Sequence, residues 1–173
     1  MKSNSIILTV LVAIIAISTI SCSKNKCKTI TCANGGVCNS GICTCATGYE
    51  GANCETLSRD KFFGNWSVFE PAGISDAGQF DLSIVESGNQ ANTLSIINMH
   101  NLLPPVSAYV IGDNIFIPNQ KVGIYTVFGA GVRSSSVTYG QYSSTIMSYE
   151  ILEGTSIVAC YGYNNTPYSQ WGK

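Results

Sequence analysis

The chain has 173 residues and a formal charge of −1, and only 11% of its residues are charged, well under the quarter or so usual in globular proteins. Without a cluster of Lys or Arg to meet phosphates, nothing recommends nucleic acid as a partner. A hydrophobic content of 45% argues against a disordered chain, and Gly, Ser, Asn, Thr and Tyr supply the polarity, as in exported β proteins. Of eight cysteines, seven fall between Cys22 and Cys54 and one, Cys160, stands apart. Such clustering points to an oxidising compartment and a disulfide framework.

Lys2 precedes an uncharged apolar run, Ile6 to Ile17, which is short for a membrane span of about 20 residues. Ser18-Thr19-Ile20-Ser21 and then Cys22 follow it. Residues 1–21 read as a secretory signal, and removing them leaves 152 residues (173 minus 21). The end of the signal resembles a bacterial lipobox, in which a small residue precedes a cysteine that becomes lipidated. Ser21-Cys22 fits, whereas Thr19 stands where Leu is usual. The resemblance implies a membrane anchor on Cys22, each buried CH₂ contributing about 0.8 kcal/mol. The residues just beyond, 22–26, then form a tether. Ser23 follows the cysteine where Asp marks inner-membrane retention, so the resemblance implies the outer membrane of a Gram-negative-type cell. The competing expectation is ordinary cleavage, with Cys22 paired to Cys160.

From Cys27 the cysteines are spaced by four, five, four, one and eight residues, ending at Cys54. Asn34-Gly35-Gly36-Val37 and Gly48-Tyr49-Glu50-Gly51 lie between them. Spacing alone leaves fifteen pairings open. Twenty-eight residues bury too little apolar surface to fold unaided, and each disulfide contributes about 2–4 kcal/mol. Val37-Cys38 and Ile42-Cys43 suit a small hairpin across Asn39-Ser40-Gly41. The pattern resembles an EGF-like module over residues 27–55, and the resemblance implies Cys27–Cys38, Cys32–Cys43 and Cys45–Cys54. Calcium-binding members carry acidic residues before the first cysteine. Here Lys24-Asn25-Lys26 occupies that place, so no calcium site is expected.

Beyond a polar joint, residues 58–173 change pattern. Short alternating runs broken by turn signals predict strands near Phe63–Glu70, Gln79–Glu86, Thr93–Met99, Val106–Ile111, Ile115–Ile117, Gly123–Phe128, Val137–Tyr142, Thr145–Leu152 and Thr155–Tyr161. Gly112-Asp113-Asn114 and Glu153-Gly154 predict hairpin turns. The fold class is therefore mainly β: a disulfide-rich module followed by a compact antiparallel barrel or sandwich. Gly64-Asn65-Trp66 resembles the Gly-x-Trp opening of lipocalin-type barrels, where Trp closes one barrel end. Two features depart from that family. The domain is short, and Arg133 precedes the last three predicted strands, so the late Arg that packs over the Trp has no match. A barrel of that size holds packed side chains or one small ligand. Trp66, Tyr109, Tyr125 and Tyr149 are the candidate lining residues, with core packing as the plainer role. The segment Tyr161 to Trp171 is an aromatic–amide tail, a binding surface if exposed and a closure if packed.

Catalytic patterns are missing. His100 is the only histidine, and neither an oriented carboxylate nor an elbow nucleophile is apparent beside it. Glu70, Asp81, Glu86, Glu150 and Glu153 single out no pair and read as strand-face charges. No metal ligand set or cofactor is expected, and Cys160, within Ile157-Val158-Ala159-Cys160-Tyr161, reads as a buried free thiol. The expected role is a non-enzymatic, membrane-anchored binding module for a protein or glycan. The alternative is a lipocalin-like carrier of a small apolar ligand.

Overall fold

The structure is a computed structural model that describes residues 26–134 and 144–173. The signal, Cys22 and the predicted strand Val137–Tyr142 lie outside those residues.

In the N-terminal region β1 (Val37–Asn39) pairs with β2 (Ile42–Thr44), and β3 (Tyr49–Glu50) with β4 (Thr56–Leu57). Bridges join Cys27–Cys38, Cys32–Cys43 and Cys45–Cys54. These are the pairs that the EGF resemblance implies. This part has almost no apolar core, Cys54 being its one fully buried hydrophobic residue, so the bridges take the place of one.

The rest of the chain forms β5 (Gly64–Glu70), β6 (Gly78–Glu86), β7 (Thr93–Ile97), β8 (Val106–Ile111), β9 (Asn114–Val122), β10 (Tyr125–Ser134), β11 (Ser144–Glu153), β12 (Ser156–Tyr161) and β13 (Ser169–Gly172). From β5 to β11 each strand pairs antiparallel with the next. β13 returns to lie between β11 and β5 and closes an eight-stranded barrel. β12 pairs with the other half of the same β11 edge. Alternation drives the closure: Trp66 and Val68 of β5, Leu82 and Ile84 of β6, Leu94 and Ile96 of β7, and Met147, Tyr149 and Ile151 of β11 all face inward and are buried. On β10 the inward places opposite Tyr149 and Met147 are Gly129 and Gly131. A Cβ on Gly129 would lie 2.6 Å from Tyr149 Cβ, so its absence lets that side chain lie across the strand.

Several expected elements change. β9 and β10 are longer than predicted, because Pro118 sits at a β-bulge, where Pro118 and Asn119 face the single residue Phe128. Gly123 and Ile124 form a turn rather than the start of a strand. β7 stops at Ile97, and Met99 begins a short 3-10 turn (Met99–Asn101). The aromatic–amide tail is packed at its two ends and exposed between them: Tyr161 and Trp171 are buried and Ser169 to Gly172 is a strand, while Asn164, Asn165 and Tyr168 are exposed.

The disulfide-rich region sits against one end of the barrel. Gly48 O accepts a hydrogen bond from Ser58 N at 2.9 Å, and Lys61 Nζ lies 2.7 Å from Glu50 and 2.8 Å from Asp113 in the β8–β9 turn. Arg59, 6% exposed, pairs with Glu86 and donates to Gln90 O at 2.8 Å and Thr93 O at 3.0 Å. The joint is thereby fastened rather than loose. The opposite end, the mouth, carries the β5–β6, β7–β8 and β9–β10 connections.

Candidate functional site

Polar side chains converge inside the barrel at the mouth. Glu70 ends β5 facing inward and is 1% exposed. Its Oε1 accepts hydrogen bonds from the Tyr149 hydroxyl and from Ser169 Oγ at 3.3 Å; its Oε2 lies 2.8 Å from His100 Nδ1. Ser169 in turn accepts from Trp171 Nε1 at 2.9 Å. A buried carboxylate left bare would cost several kcal/mol, and here three donors satisfy it. Placing Glu70 among the strand-face charges is thus corrected: the residue before Pro71 ends an inward-facing row.

His100 reaches this carboxylate from the β7–β8 connection. The connection contains three non-glycine residues in the left-handed region, Asn98 (φ 64), His100 (φ 56) and Asn101 (φ 50). Met99 and Leu103 on the same connection are buried in the core and anchor it. Phe80, Tyr161 and Tyr149 surround the imidazole, with ring centroids at 6.0, 6.3 and 6.5 Å. The Tyr161 hydroxyl shares a hydrogen bond of 2.7 Å with Ser75.

The electrostatics follow from burial. Desolvation, and then the adjacent Glu70 charge, push the Tyr149 phenol far above its ordinary range, so it stays a neutral donor. Burial also raises Tyr161, partly opposed by its bond to Ser75. The oriented carboxylate that the sequence did not reveal beside the histidine therefore exists, and it is Glu70. Among the described residues nothing is hydrogen-bonded to the other ring nitrogen of His100, and no group of three or more His, Cys, Asp or Glu is arranged to hold a metal.

The four aromatic residues singled out from the sequence do not share one pocket. Tyr149 belongs to the mouth cluster and Tyr125 packs half-buried on the core. Tyr109 points outward and stacks on Phe116 at 5.1 Å. Trp66 lies inside near the end next to the disulfide-rich region, donating to Phe62 O at 2.7 Å. Lys173 Nζ sits 5.0 Å from the Trp66 ring and donates to Phe63 O at 2.5 Å. A cation, Lys173, thus packs over Trp66. Burial and the charge of Arg133 lower the Lys173 pKa.

On the outer surface, β5 and β6 form an open groove of about 380 Å³. It is lined by Asn65, Ser67, Asp81, Ser83 and Lys173. Ser67 donates to Asp81 and Ser83 to Asn65, each at 2.7 Å. Cys160 is buried and free of disulfide bonding.

No family model matches this chain, and no curated protein or solved structure matches it either.

Proposed function

We propose that this chain is an exported lipoprotein, anchored through Cys22 to the outer membrane of a Gram-negative-type cell. An EGF-like module serves as its spacer, and a lipocalin-like barrel engages a protein or glycan partner without catalysis. The observation that carries this reading is the filled interior. The inward side chains of the barrel, including Trp66, Trp171, Tyr149 and Tyr161, are essentially unexposed and occupy its volume. A large partner would then meet the outside, where the polar β5–β6 groove offers hydrogen-bonding groups. The fastened joint at Arg59 and Lys61 suits a spacer that holds the barrel in one orientation.

One observation favours the alternative, a carrier of a small apolar ligand. Trp66 under the Lys173 ammonium, with both bonded to the Phe62-Phe63 backbone, resembles the closed end of lipocalin barrels. Native mass spectrometry of the protein released from its own membranes separates the two. A bare mass, together with glycan-array binding that Asp81→Ala and Ser83→Ala weaken, supports the outer-surface module. Added mass that vanishes on denaturation supports the carrier. Radiolabelled palmitate incorporation lost in Cys22→Ser tests the anchor, and a Cys22–Cys160 disulfide would refute it.

A further inference from the structure

We propose that the mouth of the barrel is a recognition site for a small organic cation of the substituted-ammonium type, filled in the free protein by the chain's own His100. This is separate from whatever the outer surface binds.

The residues at the mouth suit such a ligand. A carboxylate, Glu70, lies at the base with 1% exposure. Phe80, Tyr149 and Tyr161 stand around the imidazole at 6.0–6.5 Å. A desolvated carboxylate attracts a positive partner, and aromatic rings attract cations through their quadrupoles. Together they make the walls and floor of an ammonium-binding box. The hydroxyls of Tyr149 and Ser169 already hold one carboxylate oxygen, and the second, 2.8 Å from His100 Nδ1, is the one an incoming cation would meet.

The occupant is held differently from the box. Glu70, Phe80, Tyr149, Tyr161 and Ser169 come from five neighbouring strands, β5, β6, β11, β12 and β13. His100 comes from a connection whose backbone is left-handed at Asn98, His100 and Asn101, residue types that enter that region more readily than most. The His100 side chain keeps 20% of its surface in water, so it has a way out. Met99 and Leu103 can stay in the core while the intervening residues turn. A ligand entering the box competes with His100, and its apparent affinity is reduced by the fraction of protein in which His100 is bound.

The test uses the full-length protein, choline as probe, and 3,3-dimethylbutan-1-ol as its neutral isostere. His100→Gly empties the box and also relaxes a left-handed position, because glycine adopts positive φ freely. Choline is expected to bind H100G about tenfold or more tightly than wild type, as removal of an internal competitor requires. Its affinity is expected to collapse in the H100G/E70Q double variant, and the neutral alcohol is expected to leave H100G unchanged. Equal choline binding by wild type and H100G, binding that survives E70Q, or equal binding of the alcohol would each overturn the proposal and leave His100 a structural latch. The chain's single histidine gives a second readout that needs no variant. The ring resonance of His100 in wild type is expected to move to its solvent-exposed position as choline is added. If H100G does not fold, a resonance unmoved by choline up to its solubility limit overturns the proposal.

Discussion

Removing one oxygen atom tests the buried network. Tyr149→Phe keeps the ring and its packing, so no cavity of ring size forms, and only the hydroxyl that donates to Glu70 is lost. A hydrogen bond to a charged group contributes about 1.5–3 kcal/mol, and Glu70 keeps Ser169 and His100 as partners, which favours the lower half of that range. With a urea dependence of about 1–3 kcal/mol per molar, the unfolding midpoint should fall by roughly 1 M. A second signature comes from pH. The fold raises the Tyr149 pKa above its unfolded value of 10.0, so the associated stability is complete below pH 10 and is lost as pH rises. Each unit above that costs the wild type about 1.4 kcal/mol through this residue, a slope that Y149F lacks. Urea unfolding of both proteins between pH 7 and 11 measures the two effects together. A Y149F midpoint equal to wild type at pH 7, or an unchanged alkaline slope, would refute the placement of Tyr149 on a buried carboxylate.

Lys173→Met should cost about 1 kcal/mol by removing the ammonium from the Trp66 ring and from Phe63 O, with a matching change in Trp fluorescence on unfolding. Gly129→Val should destabilise by about 1–3 kcal/mol or more, because its Cβ would lie 2.5 Å from Ser148 O and 2.6 Å from Tyr149 Cβ; calorimetry reads this as a lowered Tm. Reduction should remove roughly 3 kcal/mol per bridge from the disulfide-rich region while the barrel's far-UV dichroism persists, since among the described residues no bridge joins the two.

What the sequence made legible was periodic. Phe80, Leu82 and Ile84 alternate with polar residues and do form an inward row of β6, and the cysteine spacing predicted three bridges through its resemblance. The missed features share one cause: they depend on partners far along the chain. Glu70 lies 30 residues from His100, 79 from Tyr149 and 99 from Ser169, so no local window shows them together. β13 is four residues long and follows Pro167, too brief for a period to register. Pro118 signalled a break that a bulge absorbs. Lys173 carries no local pattern, and its position over Trp66 follows only once β13 pairs with β5.

The seam between β13 and β5 sets an order of events. Trp171 pairs with Val68, 103 positions earlier (171 minus 68). A ribosome must therefore finish the last strand before the first one gains its second neighbour, and until then β5 offers an open edge to any passing chain. So distant a pairing also predicts slow closure. Deleting β13 alone would leave a barrel unable to seal, its core wrapped but β5 still available for association with other molecules.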